Sequence, residues 1–438
     1  MDIRSAAGEP LRQPGSLPDP GRPAGTPDDG MPFDHVVIVM MENHSFDNIL
    51  GALSRAGQPA ADGLTFDAAG RPTNTNPGAP ATPPEVTAFP FPSTAQGLEV
   101  SQTWNASHEQ IDGGRMDGFV RSVNATQPMG FYPPEVLPFA HSLARTFTVA
   151  NRWFASVPAQ TVPNRRFLFA GTAYGAIATD LPTVLFSGSP PNGTIFDLLS
   201  AHGISWRNYA TNVPSTVVIP SILLKHPTQL RPIGAFFEDC AHGTLPAVSM
   251  VDPEAGVLAL IGRLISAVPL LGPIGAALQR HGGSEEAAQD MYYGEAWAHR
   301  VVEAVLASPA WPRTLLVYLY DEHGGYYDHV PPPPAIPPDD IPPKLGPGDA
   351  PGGYDTYGVR VPAVVVSPYS RPNAVTDVVH DHTSVTATIE AKWNLPALTR
   401  RDANAATVMD FLDVGHAAFL TPPPIEGPSR TGPSGPAA

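Results

Sequence analysis

Three nearly uninterrupted apolar runs predict the buried strands of this chain. They are HVVIVMM at 35–41, TLLVYLY at 314–320 and VPAVVVS at 361–367. None of them alternates with polar residues, which is typical of strands that are buried on both faces of a parallel sheet. The pattern therefore predicts a central, mainly parallel sheet.

Helical patterns lie between these runs. TIFDLLSAHG at 194–203 closes with a glycine, and GEAWAHRVVEAVLAS at 294–308 has apolar residues at helical spacing. Strands that alternate with helices favour a layered α/β domain. The predicted fold class is α/β, with helices on both faces of the sheet. Because the chain has 40 Gly and 54 Pro, we also expect long Pro/Gly-rich loops.

The two ends of the chain differ in pattern from the middle. Residues 1–30 and 421–438 are rich in Pro and Gly and lack periodicity, so both are predicted to be disordered. Residues 31–420 are predicted to form one domain. Within it, 254–283 is expected to be a helical insertion, either a packed hairpin or a lid that faces lipid. Its apolar stretch contains Arg and Pro residues, which argues against a membrane span.

Charge and cysteine content narrow the choice of partners and compartment. The formal net charge of −16 argues against nucleic acid and weakens binding to anionic membranes, although transient contact with zwitterionic lipid remains compatible. Cys240 is the one cysteine, so an intrachain disulfide is excluded. The first 30 residues contain no apolar signal-peptide core, so a cytoplasmic location is slightly favoured over secretion. The oligomeric state is not indicated.

Acidic pairs follow two of the predicted strands. Glu42 and Asn43 come directly after 35–41, and Asp321 and Glu322 come directly after 314–320. Ligands of open α/β sheets bind outside the carboxyl ends of the strands, so these oxygen donors can share one site. The alternative is that they are ordinary loop acids or helix caps, which is common for one such pair and much less common for two.

Four further stretches concentrate polar residues. They are HEQIDGGRMDGF (108–119), AQTVPNRRFLFAGT (159–172), YDEHGGYYDHVPPP (320–333) and HDHTSVTATIE (380–390). In the second stretch, Thr161 stands two residues before a proline, which predicts an extended, exposed turn.

In this order the motifs resemble a bacterial phosphoesterase family of phospholipases C and related acid phosphatases. The resemblance covers roughly residues 33–412 and implies an alkaline-phosphatase-like α/β fold. It implies that Thr161 is the nucleophile, and that His108 and His323 bind phosphate or protonate the leaving oxygen. The implied metal ligands are Glu42, Asn43, Thr161, Asp321 and Glu322.

The chemistry of these residue types is compatible with those roles. Carboxylate and amide oxygens favour one divalent ion such as Ca²⁺, Mg²⁺ or Mn²⁺, and Zn²⁺ also accepts carboxylates. A threonine hydroxyl is a weak nucleophile unless a base or a metal lowers its pKa. Attack on phosphorus would then form a phosphothreonine that water hydrolyses. The residues expected to bind the substrate are Arg165, Arg115, Asn164 and His382.

Several alternatives stay open at this point. Thr161 could be a turn residue, Arg165 could pair with a structural carboxylate, and His382 could support a neighbouring residue. The expected activity is phospholipase C-type cleavage of phospholipids. The alternatives are a broad acid phosphatase and a catalytically inactive relative that binds phosphate or phospholipid. Two places depart from the family pattern: Asn151 replaces an Asp, and the stretch before Gly294 lacks a His-Pro pair.

Overall fold

The protein is built on an eight-stranded sheet with the strand order β12-β6-β11-β10-β1-β9-β7-β8. The computed structural model describes residues 10–97, 100–180, 183–184, 188–254, 283–286 and 289–430. Two short pairs, β2 with β3 and β4 with β5, lie outside the main sheet. The strands are β1 (His35–Met41), β2 (Thr75–Pro77), β3 (Glu85–Thr87), β4 (Phe89–Pro90), β5 (Gly130–Phe131), β6 (Thr148–Ala150), β7 (Trp206–Ala210), β8 (Leu230–Pro232), β9 (Val248–Asp252), β10 (Thr314–Tyr320), β11 (Ala363–Val366) and β12 (Ala374–Thr376).

The described helices pack around this sheet. They are α1 (Phe46–Leu50), α2 (Trp104–Ile111), α3 (Phe119–Val123), α4 (Pro138–Thr146), α5 (Thr161–Ala170), α6 (Ile195–Ala201), α7 (Pro220–Lys225), α8 (Ile233–His242), α9 (Met291–Leu306), α10 (Thr383–Trp393) and α11 (Arg400–Ala403). Every residue of β10, and all of β1 except His35, is buried, so both faces of the sheet are covered at its centre. The predicted α/β class with a mainly parallel sheet is confirmed.

The strands predicted at 35–41 and 314–320 are confirmed as β1 and β10. They pair in parallel from His35 opposite Thr314 to Met41 opposite Tyr320. The run at 361–367 also forms a buried strand, β11, but it is antiparallel to both of its neighbours. The expectation of a parallel strand is wrong there. An uninterrupted apolar run shows that both faces are buried and carries no information about strand direction.

Both predicted helices are present with shifted ends. The helix expected at 194–203 is α6, and Thr194 caps it through a reciprocal pair of hydrogen bonds with Asp197. The helix expected at 294–308 is α9, which begins at Met291 because the side chain of Asp290 accepts a hydrogen bond from the backbone N–H of Tyr292.

The N-terminal segment differs from the expected disorder over residues 10–30. Its backbone is hydrogen-bonded to the end of α10 and the loop after it: Gly15 N donates to Ala397 O at 2.7 Å and Asp28 N donates to Lys392 O at 2.6 Å. These bonds satisfy backbone groups that Pro/Gly-rich composition alone would leave to water.

The start of the C-terminal tail is also attached, since Glu426 N donates to Ser142 Oγ at 3.0 Å. Residues 1–9 and 431–438, and nearly all of the predicted insertion (255–282), lie outside the described residues. In the part of the chain that is described, no helix combines the length and the apolar character needed to cross a membrane.

Candidate functional site

The carboxyl ends of β1 and β10 bring the two acidic pairs together. Asp321 N donates to Met41 O at 3.1 Å, so strand pairing continues to the first residue after β10. Glu42 N donates to Ser284 O at 2.9 Å, which anchors the chain just after β1. The register places the residues after the two strands side by side, as the sequence predicts.

Asn43 turns the chain sharply at this edge. Its backbone is left-handed, with φ 71°, a conformation that Asn tolerates better than most residues. Its backbone N–H donates to Asp321 Oδ1 at 3.2 Å. Gly324 approaches so closely that a Cβ on it would lie 1.9 Å from Asn43 O. The turn therefore requires a residue without a side chain at 324.

The Asn43 side chain meets an unusual set of neighbours. Its Oδ1 position lies 2.7 Å from Glu322 Oε1 and 3.3 Å from Asp321 Oδ1, and 3.5 Å from Thr161 Oγ1. Two orientations of the amide account for these contacts. With Nδ2 turned towards the carboxylates, the amide donates to both. With Oδ1 turned towards them, three oxygens converge, and either a proton on a carboxyl group or a cation between the oxygens would stabilise this arrangement.

Thr161 is the first residue of α5 and is half-buried. The expectation of an extended, exposed turn is wrong: Gln160 is extended, and the helix begins directly after it. Pro163 does not prevent this, because a proline in the first turn removes an N–H that has no intrahelical partner. The position of Thr161 is therefore fixed by a helix.

Arg165 lies one turn further along α5 and is buried. Its Nε donates to Asp321 Oδ2 at 3.0 Å and its guanidinium is 3.1 Å from Glu42 Oε1. The open alternative, pairing with carboxylates, is what the structure shows. These carboxylates belong to the site itself, so Arg165 holds the acidic cluster together; it also lines the cavity beside Thr161, and its role in substrate binding stays a prediction.

The charges of this cluster fit a divalent cation. Three carboxylates, Glu42, Asp321 and Glu322, face the single positive charge of Arg165. Burial raises the pKa of Asp321 to about 8 and the pKa of Glu322 well above its usual range. Buried carboxylates that are not fully paired are costly, and hard oxygen donors suit Mg²⁺, Ca²⁺ or Mn²⁺. The donor set therefore fits the divalent ion that the family implies.

Asn164 is placed near Thr161 but does not face a substrate. It is fully buried, and its Nδ2 donates to Ala159 O at 2.8 Å and to Gln160 O at 3.1 Å. Its Oδ1 accepts from Val157 N at 3.1 Å. The side chain fixes the loop that leads into α5, and the expected role in substrate binding is not supported.

Both ring nitrogens of His382 also have hydrogen-bond partners within the protein. Its Nε2 donates to the backbone carbonyl of Asp321 at 2.6 Å, and its Nδ1 is 3.4 Å from Trp153 Nε1, which donates to it. Burial lowers the pKa of His382 to about 4, so the ring is neutral. His382 supports the backbone of Asp321, as one of the open alternatives had it, and does not line the cavity beside Thr161.

His323 is enclosed beside Glu322. Its Nε2 lies 2.7 Å from Gln110 Oε1, and burial lowers the pKa of His323 to about 3. A ring that stays neutral and is bonded to an amide is poorly suited to donate a proton. Gln110 thereby links α2 to the end of β10, a contact that the sequence analysis did not predict.

His108 and Arg115 do not line the cavity that contains Thr161. His108 Nδ1 donates to Trp104 O at 2.7 Å, and the ring lines a second cavity of about 380 Å³ whose lining residues do not include Thr161. Arg115 is largely exposed and pairs with Asp112 and Asp117. Its expected role in substrate binding is not supported by this placement.

Asp252 is a residue of the site that the sequence analysis missed. It is the last residue of β9, next to β1, and it lines the same cavity as Glu42, Thr161 and Arg165. Its Oδ1 is buried and has no hydrogen-bond partner among the described residues. A signal was present in the sequence, because in AVSMVDP an acidic residue follows an apolar run, as it does after the two predicted strands.

A second acidic group lies near the site and is balanced by positive charge. Asp47, Asp328 and His329 are close enough to hold an ion. However, Arg360 contacts Asp328 and Asp47, each at 3.1 Å, and His329 Nδ1 is 2.7 Å from Asp47. The cluster is therefore an ion-pair network, and the Asn43 cluster is the better candidate for a metal.

The sequence of the chain matches a known protein family. A model of the Phosphoesterase family matches residues 33–396. The chain belongs to the Phosphoesterase family. The family resemblance predicted from the motifs is thereby confirmed, and this phosphoesterase is a phosphoric ester hydrolase.

This chain is similar over most of its length to two proteins that are called phospholipases C. It is 32% identical over 414 residues to "Non-specific phospholipase C1" from Arabidopsis thaliana, which covers 87% of this chain and 71% of the relative. It is 27% identical over 444 residues to "Phospholipase C A" from Mycobacterium tuberculosis, covering 92% of this chain and 80% of that protein.

Solved structures show only distant likeness. The lipoteichoic acid synthase LtaP from Listeria monocytogenes matches with a TM-score of 0.39 and 10% identity, covering 88% of this chain and 80% of that one. A protein of the alkaline phosphatase superfamily from Vibrio parahaemolyticus matches with a TM-score of 0.34 and 13% identity, covering 81% of this chain and 77% of that one.

Proposed function

We propose that this phosphoesterase is a metal-dependent hydrolase of phospholipase C type that uses Thr161 as its nucleophile. One observation supports the proposal most strongly. The side-chain amide of Asn43 contacts Asp321 and Glu322 on one side and lies 3.5 Å from the Thr161 hydroxyl on the other. A hydroxyl at the start of a helix thus lies beside a cluster of hard oxygen donors, and a cavity of about 250 Å³ opens at the same place.

The residues that would hold the divalent ion are Glu42, Asn43, Thr161, Asp321 and Glu322. When bound, such an ion lowers the pKa of a neighbouring hydroxyl and neutralises charge on the phosphoryl oxygens. Its identity among Ca²⁺, Mg²⁺, Mn²⁺ and Zn²⁺ is left to elemental analysis of the purified protein. Arg165 keeps Glu42 and Asp321 in place by bridging them.

The proposed reaction has two displacement steps. Thr161 Oγ1 forms a bond to phosphorus as the bond from phosphorus to the alcohol oxygen breaks, and the alcohol leaves with a proton. Water then attacks phosphorus, the bond to Oγ1 breaks, and Thr161 regains its hydroxyl. Thr161 is the first residue of α5, so the positive end of the helix dipole lies beside its hydroxyl and favours negative charge.

His108, which the family resemblance implies as a catalytic histidine, remains the candidate that supplies the proton to the leaving alcohol; this role requires a substrate that extends from the cavity lined by Thr161 to the one lined by His108. Its Nδ1 is held by Trp104 O, which leaves Nε2 as the exchangeable ring nitrogen. Burial lowers the pKa of both His108 and His323, so their hydrogen-bond partners and not their pKa distinguish the two rings. His323 is less suited to this role, because its ring is enclosed and bonded to Gln110.

The names of the relatives favour the phospholipase reaction over the alternatives. The similar proteins are called phospholipases C, in a plant and in a bacterium. Because a phospholipase C cleaves a phosphodiester, we expect diesters of an apolar alcohol to be better substrates than monoesters. A broad acid phosphatase and an inactive relative that binds phosphate or phospholipid are the competing outcomes.

The test compares p-nitrophenyl phosphorylcholine with p-nitrophenyl phosphate. We expect the diester to be hydrolysed, activity to vanish with EDTA and to return when a divalent ion is added back. Thr161→Ala should lower kcat by at least about 10³-fold, while Thr161→Ser should keep a measurable rate. Acid quenching followed by mass spectrometry should detect phosphorylcholine on the peptide that contains Thr161.

Each other outcome has a definite meaning. Turnover of the monoester alone would identify a phosphatase, and no turnover with metal still bound would identify a binding protein. Full activity of Thr161→Ala would remove Thr161 as the nucleophile. Thr172→Ala is the matched control, since Thr172 is a buried threonine just after α5 and should not change kcat.

A further inference from the structure

A serine, a histidine and an aspartate come together between the two ends of α6 and the end of α7. Asp197 lies in the first turn of α6, Ser200 lies near the end of the same helix, and His226 directly follows α7. His226 Nε2 is 3.1 Å from Asp197 Oδ1, and His226 Nδ1 is 3.5 Å from Ser200 Oγ. The imidazole therefore connects a carboxylate to a hydroxyl. None of the three residues lines the cavity that contains Thr161.

Asp197 is held in place by the start of its own helix. Its Oδ2 accepts from the backbone N–H of Thr194 at 3.0 Å and from the Thr194 hydroxyl at 2.9 Å. Lys225 Nζ lies 3.1 Å from Oδ1. Burial would raise the pKa of Asp197, but hydrogen bonds from His226, Lys225 and Thr194 lower it below its ordinary value. Asp197 is therefore an ionised acceptor, and the proton of the neutral His226 ring lies on Nε2.

The contacts of Ser200 determine the direction of its own proton. Trp206 Nε1 donates to Ser200 Oγ at 2.8 Å, so the hydroxyl accepts one hydrogen bond and keeps its proton for another group. Among the described residues, His226 Nδ1 is the acceptor within reach. A separation of 3.5 Å is at the long end of a hydrogen bond, and catalytic hydrogen bonds are often long before substrate binds. The Trp206 ring also packs edge-on against His226, with ring centroids 5.4 Å apart.

A cavity of about 430 Å³ opens at Ser200. Ser200 is exposed, so a substrate can reach its hydroxyl from this cavity. Trp206, Arg207 and Gln229 line the same cavity. The side chains of Arg207 and Gln229 carry N–H groups, which are the donors that stabilise an oxyanion. The cavity therefore combines a hydroxyl, a histidine partner and N–H donors in one accessible place.

We propose that Ser200 and His226, positioned by Asp197, form a second catalytic site that hydrolyses small carboxylic esters. Ser200 Oγ forms a bond to the acyl carbon as its proton passes to His226 Nδ1, and the alcohol leaves with that proton. Water then attacks the acyl carbon and gives a proton to His226. The bond to Oγ breaks, the acid is released and Ser200 regains its hydroxyl. Such a group of residues is recognised by its geometry and not by its order in the chain.

This site shares no residue with the proposed phosphoesterase site. Its chemistry uses a hydroxyl, an imidazole and a carboxylate, and the residues of the Asn43 cluster take no part. We therefore expect hydrolysis of p-nitrophenyl acetate to continue in EDTA, under conditions in which hydrolysis of p-nitrophenyl phosphorylcholine stops. The two activities can then be measured separately in the same preparation of the protein.

Labelling with diisopropyl fluorophosphate tests the reactivity of Ser200 directly. The reagent forms a bond from phosphorus to the Oγ of an activated serine and releases fluoride, and mass spectrometry of peptides locates the label. We expect the label on the peptide that contains Ser200, with a rate at least about tenfold lower in His226→Phe. Phenylalanine keeps an aromatic ring against Trp206 and removes both ring nitrogens. A melting curve checks that this variant is folded.

Ser200→Ala tests the ester reaction and leaves the buried core unchanged, because Ser200 is exposed. It should lower kcat/KM for p-nitrophenyl acetate by at least about 10²-fold. Turnover of p-nitrophenyl phosphorylcholine should not change. Ser122→Ala is the matched control: Gln110 Nε2 donates to Ser122 Oγ at 3.0 Å, but the Ser122 proton goes to Phe119 O at 2.9 Å. Its acetate turnover should equal that of the wild type.

The remaining outcomes are also defined. If the label is absent from the Ser200 peptide of the folded wild type, the inference is overturned. Equal acetate turnover in Ser200→Ala and Ser122→Ala would overturn it as well. Loss of acetate turnover in EDTA would assign that reaction to the phosphoesterase site instead. Absence of turnover of p-nitrophenyl phosphorylcholine would concern only the proposed phosphoesterase function.

Discussion

At the residue scale, most of the side chains that were expected to bind the substrate form hydrogen bonds or ion pairs within the protein. Asn164 bonds the loop before Thr161, His382 bonds the backbone of Asp321, and Arg165 bridges two carboxylates. Residue type is visible in a sequence, but the partner of a buried polar group is a tertiary contact. Donors that could bind phosphate therefore position other residues of the candidate site.

His382→Ala should weaken metal binding more than it weakens the fold. Removing the donor to Asp321 O leaves that carbonyl free to move, and supporting groups of this kind typically affect metal affinity by about 10–100-fold. Apparent affinity can be measured by restoring activity to EDTA-treated protein with increasing metal. His380→Ala is the control: His380 is equally buried but bonds Ser384 and Asp410. Equal losses of metal affinity in both variants would contradict a positioning role for His382.

At the element scale, α5 is the part of the fold on which the site most depends. It carries Thr161 at its first position, Arg165 one turn later, and Arg166, whose Nε donates to the backbone carbonyl of Val218. The sequence stretch around these residues predicted their importance but not the helix that begins at Thr161. Pro163 is compatible with an extended turn or with the first turn of a helix. The choice depends on which groups accept or donate hydrogen bonds to the preceding loop, and here Asn164 donates to its carbonyls from inside the helix.

Asn164→Asp should displace the start of this helix. The new carboxylate keeps an acceptor for Val157 N, but the amide that donates to three backbone carbonyls is replaced by an oxygen that repels them. We expect a loss of about 2–3 kcal/mol in unfolding free energy, measured in urea, together with a lower kcat. Asn394→Asp is the matched control, since its buried amide also donates to backbone carbonyls, but at Asp19 and Arg22. A similar loss of stability with kcat retained is expected there, and an unchanged kcat in Asn164→Asp would refute the effect on Thr161.

At the scale of the whole molecule, ion pairs and terminal segments join distant parts of the chain. Arg360 links Asp47, which follows β1, to Asp328, which follows β10. Residues 10–28 fasten the far end of α10, the helix whose other end carries His382. These contacts join stretches separated by hundreds of residues, so they contribute to stability without being visible as local patterns.

Stability should fall as pH rises through the pKa of His329. Burial alone would lower that pKa, but the charge of Asp47 and the hydrogen bond to it raise it to about 9 from 6.5. The charges that face the ring are Asp47, Asp62, Asp328 and Arg360. Because the raised value means that the folded state retains the proton, the contribution is complete below about pH 6.5 and disappears as pH passes 9.

The measurement is the difference in unfolding free energy between the wild type and His329→Gln. Glutamine keeps a donor towards Asp47 but carries no charge. We expect the difference to be up to about 3 kcal/mol near pH 6.5 and to shrink towards zero by about pH 10. A difference that does not depend on pH across this range would contradict the protonated pair.

Deleting residues 1–27 should lower the melting temperature and leave the catalytic site intact. Asn394 Nδ2 donates to Asp19 O at 3.0 Å and to Arg22 O at 2.8 Å, and these bonds are lost with the segment. We expect a decrease of roughly 3–6 °C by calorimetry, with kcat at 25 °C unchanged. Asn394→Gly keeps the left-handed backbone at φ 46° and removes only the amide, so it should show part of the same decrease. An unchanged melting temperature after the deletion would show that the segment adds nothing to stability.

The sequence by itself determined the central strands, the α/β class, the family and the acidic residues at two strand ends. These features are local: continuous apolar runs select buried strands, and a residue directly after a strand must lie at its carboxyl end. The tertiary structure alone decided the antiparallel direction of β11, the helical start at Thr161, the partners of Arg165, Asn164 and His382, and the place of Asp252. Each of these depends on contacts between segments far apart in the chain, and the free energy of such a contact is not encoded in either segment alone.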